Sequence, residues 1–419
     1  MAGAVLAMVC AWLLAPPRQA FAEESTPSQT YSLQVTLSSA PPTPEEAQRA
    51  HQRARQSRII YFGTLAYEIL LLGGFLLLGG TRWLARLVEA FHGRWVLATL
   101  AVFLVVSLAT ALLTLPLDYY AQFTFQHQYG LSNQTPWQWL RDYLVGQGIG
   151  LLIGMPLMVL GYFIIRRAPH TWWAWLGAIA VPVLIFAILL EPVFIAPLFN
   201  KFTPLQNPQL RQDILTMAHA HGIAAKDVYQ VDASRQSNAV NAYVNGVGPT
   251  KRIVLYDTLL AYFTPDEIKF IMAHEMGHYV LGHIRQGLLI AILGVFAGAW
   301  VLQACAGGIL GRFGGYLGVR DLSNPAALPV LLAVSLGISL LVGPIGNAFS
   351  RHIEAAADRY AVTIYPHPEA GISAFHKLAR LNISEENPPR WVVLLLYTHP
   401  SLGQRIAMLQ DVERRTGEK

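Results

Sequence analysis

The chain has 419 residues, of which 53% are apolar and only 13% charged. That balance excludes an ordinary soluble globular protein of this length and points to a membrane. The net charge of +5 suits an anionic lipid surface and shows no basic stripe of the kind that tracks nucleic acid, so nucleic acid is excluded as a partner.

In chain order, residues 1–22 admit two readings, a signal peptide or a first transmembrane helix. Residues 4–15 form an apolar core, and Ala20-Phe21-Ala22 before Glu23-Glu24 resembles a small-residue cleavage site, yet no lysine or arginine precedes the core. We expect an uncleaved first crossing. Residues 23–58 are rich in Ser, Thr, Pro and Gln and become basic at Arg49, Arg53, Arg55 and Arg58; they read as a loosely ordered linker ending at the membrane surface. Six apolar stretches, 59–80, 95–117, 143–165, 173–195, 287–310 and 326–345, are each long enough to cross a bilayer. Their polar members Glu68, Gln147 and Gln303 are costly in lipid and should face protein or a wet interior. Cys10 and Cys305 both lie in apolar runs, which suits buried packing and neither a disulfide nor a metal ligand.

The expected fold is therefore mainly α, a polytopic membrane helix bundle of six to seven transmembrane helices. It divides into 1–22, the linker 23–58, transmembrane helices at 59–199, a polar segment at 200–286, a transmembrane hairpin at 287–346 and a second polar segment at 347–419. Two crossings separate the polar segments, so both emerge on one face. In the first of them, Val240, Ala242 and Val244 alternate with polar neighbours, and Arg252 to Tyr256 is a second strand-like run after a turn at Gly248-Pro249, which predicts a small β-hairpin. An edge strand there would align an extended peptide by main-chain hydrogen bonds, with Asn241 helping to hold its backbone. As a turn asparagine, Asn241 would instead bond its own chain.

The same segment carries His274-Glu275-Met276-Gly277-His278. Histidines at i and i+4 project about 40° apart on a helix and reach one metal. The intervening glutamate lies close enough to act on a water at that metal without ligating it. A catalytic zinc takes three protein ligands. His283 is one place short of the longer HExxHxxGxxH pattern, and on a continuing helix it would point about 140° away from His278, so it reads as a non-ligand. In the alanine-rich run 347–361, Glu354 and Asp358 sit at i and i+4 on one helical face. Glu354 would complete a His2Glu site, and Asp358 would hold a ligand histidine through its other ring N–H. Alternatively, both carboxylates pair with Arg351 and Arg359 on a solvated face.

With these motifs, the chain resembles the type I CAAX prenyl proteases, integral-membrane zinc metallopeptidases of the gluzincin type. The likeness runs through LPLDYYAQFTFQHQYGLSNQT (115–135), EPVFIAPLFNKFTPL (191–205), NAYVNGVGPTKRIVLYDTLL (241–260), AHEMGHYVLGH (273–283), SRHIEAAADRYA (350–361) and THPSLGQRI (398–406). The resemblance implies a zincin-like metalloprotease domain, one Zn2+ per chain held by His274, His278 and Glu354, Glu275 as catalytic acid/base and Asp358 as proton donor. It further implies that His399 and Arg405 approach the site, where they would stabilise an oxyanion. The activity implied is metalloendopeptidase cleavage of a peptide or protein substrate, here removal of the last three residues after a prenylated cysteine, by a multi-pass enzyme with its site facing the cytoplasm. Alternatives are general membrane-protein quality control, or a transporter or scaffold with a structural zinc. A structural zinc, however, would be closed by a fourth protein ligand, where this chain offers Glu275.

Overall fold

The computed structural model describes residues 38–190, 200–235, 237–245 and 252–417. The N-terminal apolar run, Cys10 and the turn at Gly248-Pro249 lie outside them.

Helix α1 (Pro44–Leu77) begins on Thr43-Pro44-Glu45-Glu46, a reciprocal cap in which the Thr43 side chain accepts from the Glu46 N–H and the Glu46 carboxylate from the Thr43 N–H, with proline at the first helical position. Residues 44–58 are thus helix where the sequence reading places a linker. Their polar surface is ordered by distant partners. Arg380 Nε reaches Glu46 at 2.9 Å, and Glu385 takes His51 Nδ1 at 2.7 Å and Arg58 at 2.9 Å. At 34 residues, α1 is about 51 Å long against roughly 30 Å of hydrocarbon, so its polar first half stands outside the bilayer.

A short α2 (Gly80–Glu89) turns the chain into α3 (Trp95–Tyr119), which runs on through a π-helical turn at Tyr120–Thr124. Then follow α4 (Pro136–Arg167) and α5 (Trp172–Leu190). Among the described residues five helices are long and apolar enough to cross a membrane: α1, α3 with its extension, α4, α9 (His283–Leu317) and α10 (Leu328–Ile364); α5 is a shorter apolar one. Together they coincide with the six apolar stretches. At one end of the bundle, Leu84, Phe103, Tyr162, Trp172, Leu302 and Leu331 form a continuous core. The Thr81 hydroxyl donates to the Leu317 carbonyl there, and the Tyr162 hydroxyl to that of Pro325.

The opposite end carries the polar segments. A four-stranded sheet in the order β1-β2-β4-β3 is formed by β1 (Phe202–Pro204), β2 (Val228–Val231), β3 (Ala242–Asn245) and β4 (Arg252–Tyr256). The predicted hairpin is β3 with β4, paired antiparallel from Ala242 opposite Leu255 to Asn245 opposite Arg252. The sheet is wider than predicted because β2, four residues with no clear alternation, pairs parallel to β4. Helices α6 (Pro208–Ala220), α7 (Asp257–Tyr262), α8 (Pro265–Val280) and α11 (Pro368–Leu381) surround it, followed by α12 (Arg390–Leu396) and α13 (Leu402–Gly417). Ile214, Ile253, Leu255, Met272, Met276 and Ala374 make its core. Helix α10 crosses the expected boundary at residue 346 without a break: one rod of 37 residues joins the membrane bundle to this end.

Candidate metal centre

Helix α8 starts on a second reciprocal cap, Thr264 with Glu267, again with proline at the first position. Glu267 is 3% exposed and also takes Lys377 Nζ at 2.7 Å, so a buried and fully partnered ion pair fixes the start of α8 to α11. From there the helix carries His274, Glu275 and His278 outward with Met272 and Met276 in the sheet core. The second half of the site comes on α10. Gly277 is where the helices meet: a β-carbon on it would stand 3.2 Å from Ala357 Cα and 3.3 Å from the Ala357 carbonyl. A side chain there would have to push the α10 backbone back by a few tenths of an ångström, so glycine suits that approach.

The approach brings three predicted residues together. His274 Nε2 and His278 Nε2 are 3.2 Å apart. Glu354 Oε2 is 3.3 Å from the first and Oε1 3.4 Å from the second. The ligand atoms of all three lie within 4.8 Å of one another. Glu354 Oε2 is buried and makes no hydrogen bond. Two imidazole nitrogens and an orphaned carboxylate oxygen aimed at one point form a donor set that a divalent cation satisfies, and the His2Glu composition suits zinc.

Each histidine is oriented from behind. His274 Nδ1 donates to Asp358 Oδ1 at 2.8 Å, and Arg405 grips Asp358 with Nε on Oδ2 at 2.8 Å and a second nitrogen on Oδ1 at 2.5 Å. The guanidinium also lies over the Phe375 ring, 4.2 Å from its centroid. Arg405 is therefore engaged with Asp358. Burial opposes a charge on His274, but the Asp358 carboxylate overrides it and raises the imidazole pKa to about 9. The Glu275 carboxyl is pushed above the usual range by burial, with the histidines pulling the other way.

His283 is placed differently from its sequence reading. Helix α8 ends at Val280, Gly282 takes φ 70° and α9 starts afresh at His283. The continuing helix that would have turned His283 away does not exist, and its Nδ1 lies 3.0 Å from Nδ1 of His278. One of these nitrogens donates to the other, which leaves His278 Nε2 facing the site.

The alternative pairing of Glu354 and Asp358 with Arg351 and Arg359 is absent among the described residues. Arg351 instead donates to the carbonyls of Val393 at 2.8 Å and Tyr397 at 2.7 Å, and Asn347 to that of Leu395 at 2.7 Å, closing the carboxyl end of α12. The turn after it carries His399, whose Nε2 is 3.3 Å from Glu354 Oε2. Asn241 is exposed at the start of the edge strand β3, and its side chain accepts from the N–H of Ala242 at 2.9 Å. Sequence reasoning missed Asn347 and Arg351 as supports. Their partners are main-chain carbonyls more than 40 residues away, and no spacing pattern announces them.

Residues 204–413 match peptidase family M48, and residues 36–201 match the N-terminal region of CAAX prenyl proteases, described as five membrane helices. Among similar proteins are the uncharacterized metalloprotease YhfN of Bacillus subtilis, 34% identical over 88% of this chain and 87% of that one, and the CAAX prenyl protease 1 homolog of Oryza sativa, 30% identical over 76% and 75%. CAAX prenyl protease 1 of Saccharomyces cerevisiae is 30% identical over 74% of this chain and 71% of its own length. The fold resembles the crystal structure of Ste24p from S. mikatae with a TM-score of 0.77 over 97% of both chains, at 24% identity.

Proposed function

Because the chain belongs to peptidase family M48, among the CAAX prenyl proteases, we propose that this multi-pass membrane metalloendopeptidase removes the C-terminal tripeptide from prenylated substrates. The observation that supports the chemistry is the convergence on one point of His274, His278 and a buried Glu354 oxygen that makes no hydrogen bond. The support for the substrate class is likeness to relatives named as CAAX prenyl proteases.

In this reading His274, His278 and Glu354 would hold one zinc ion. Bound there, the metal would supply Lewis acidity towards a peptide carbonyl and an attacking water. Glu275 takes the proton from that water at its carboxylate and delivers it to the departing amine nitrogen. Burial pushes its carboxyl upward, so it holds a proton more readily than an ordinary carboxylate and can both take it from the water and pass it on. Asp358 keeps His274 in the tautomer that frees Nε2, and Arg405 keeps Asp358 charged and in place. We assign His283 the corresponding part behind His278. His399, beside Glu354, is the donor we assign to the carbonyl oxygen as negative charge develops on it. The edge strand β3 with Asn241 would align the substrate backbone.

The deciding experiment compares a farnesylated CAAX peptide with its unprenylated twin, using purified enzyme in lipid. Faster cleavage of the farnesylated peptide is expected. Equal rates would leave the peptidase chemistry intact and replace the substrate class with general peptide clearance. We also propose that the site faces the cytoplasm. Arg58 and Glu46 of α1 pair with Glu385 and Arg380 on the site-bearing end, so the basic run from Arg49 lies on that side. The arginines at 82, 86, 94, 166 and 167 lie at the other end, so the decisive measurement is membrane-impermeant labelling of a cysteine placed at Lys419 in intact cells. Labelling from outside would reverse the assignment.

A further inference from the structure

Far from the metal centre, at the other end of the bundle, a groove of about 670 Å³ runs between α3 and α4. Trp95, Val96, Leu100, Pro156, Val159 and Phe163 line it. Every one of these side chains is apolar, and both helices belong to the membrane-spanning set, so the surroundings of the groove are lipid tails. Pro156 has no N–H to continue the helical ladder at that level of α4. From Phe163 back to Met155, which also lines the groove, the wall descends about 12 Å along the helix.

The mouth of this groove is basic. The Arg166 guanidinium lies over the Trp95 ring at 5.4 Å, and that of Arg167 over the Phe163 ring at 5.6 Å. The two rings stack on each other with centroids 6.4 Å apart. Arg94 precedes Trp95 and is exposed, as are Arg166 and Arg167. Among the described residues none of the three has a carboxylate partner, so two guanidinium groups sit at the edge of an apolar slot, with Arg94 one residue before its Trp95 wall. Helix α3 starts at the same place with no side-chain cap on its first N–H groups, which adds a partial positive charge. An aromatic wall that continues into lipid and ends under guanidinium groups is complementary to one kind of molecule: an acyl chain below a negatively charged headgroup.

We propose that this groove binds one anionic glycerophospholipid, with an acyl chain along the Trp95 and Phe163 wall and the phosphate among Arg94, Arg166 and Arg167. The site is independent of the peptidase reaction, and its occupant is a resident lipid distinct from any substrate. It differs from the ordinary lipid annulus in two measurable ways: it selects by headgroup, and it retains its occupant when bulk lipid is removed.

The test uses the full chain reconstituted in phosphatidylcholine vesicles containing a minor fraction of phosphatidylglycerol, then re-extracted and stripped in a non-ionic detergent. Phosphatidylglycerol and phosphatidylcholine retained per chain are measured by mass spectrometry. The wild type is expected to keep about one phosphatidylglycerol per chain, enriched over phosphatidylcholine by roughly tenfold or more, as three basic groups near a lipid surface imply. The triple variant R94Q/R166Q/R167Q should lose the headgroup preference, and Val159→Trp, which fills the slot, should lose retention of either lipid. Metal content of each variant, set at the opposite end of the molecule, reports that the fold is intact. Equal retention of both lipids by the wild type overturns the proposal without recourse to any variant. So does full phosphatidylglycerol retention in V159W.

Discussion

Helices α8 and α10 reach the candidate metal centre by different physics. α8 is 16 residues long, reciprocally capped and largely enclosed by the sheet and α11. α10 is 37 residues long and arrives from the membrane, contributing Glu354 and Asp358 from its last three turns. The candidate ligands on α8 are placed by local geometry, since two histidines four apart on a formed helix already face one point. The candidate ligand on α10 is placed only by helix packing. One half of the site is therefore a property of a segment, and the other a property of the contact at Gly277 and Ala357.

The sharpest way to separate the halves is to remove one function from each. Glu354→Ala should abolish bound zinc and, with it, hydrolysis. Glu275→Gln should keep stoichiometric zinc while activity falls by roughly 10³-fold, because the amide removes only the proton acceptor. Zinc analysis of both folded proteins checks the assignment, and metal loss in E275Q would contradict it. Next, the contact itself: Gly277→Leu should lower zinc affinity by roughly 10–100-fold, the range that overpacking a tight interface implies, with both histidines still present. Competition against a chelator measures this. Unchanged affinity would show that the helix approach is not what sets Glu354.

Smaller effects should follow from the orienting groups. Asp358→Ala and His283→Ala should each weaken zinc by about 10–100-fold without removing it. If the Asp358 variant lost metal outright while Glu354→Ala kept it, the ligand and its neighbour would exchange roles. Zinc uptake should also depend on pH through His274. In the metal-free site this imidazole, at about 9, holds a proton at neutral pH that the metal must displace. Apparent affinity should therefore rise with pH by up to about tenfold per unit and level off above 9. Titration of apoprotein at several pH values would show a flat profile from neutrality upward if Asp358 did not raise this group. The smallest effect is expected from Arg351→Met, which frees the carbonyls of Val393 and Tyr397: about 1–3 kcal/mol of stability, a several-fold fall in kcat through His399, and unchanged zinc.

Legibility from sequence follows the same division. The apolar spans, HExxH and the carboxylates four apart are periodic signals, and the helices realise them. Residues 44–58 misled because they are polar, and their helix is held by Arg380 and Glu385, far away in the chain. A local clue was nonetheless present in Thr43-Pro44-Glu45-Glu46, a reciprocal-cap pattern with proline at the first position. Gly282 was the overlooked break that carries His283 back to His278. The parallel pairing of β2 with β4, the grip of Arg405 on Asp358 and the closure of α12 by Arg351 depend on tertiary approach alone.

Helix α10 also works as a measuring rod. It starts in the core at the far end of the bundle and carries Glu354 to the candidate centre in its last three turns, with Pro344 the one interior residue that leaves out a rung of its ladder. Glu354 lies ten positions beyond that pivot, about 15 Å along the axis. Spanning helices answer a thicker or thinner bilayer by tilting. A swing of about 5° about Pro344 would carry the Glu354 end sideways by roughly 1 Å, a displacement large enough to matter to bond-making geometry. Activity should therefore change with the acyl-chain length of the host bilayer, which assays in vesicles of graded thickness would measure; equal rates throughout would show that the contact at Gly277 and Ala357 holds the Glu354 end still.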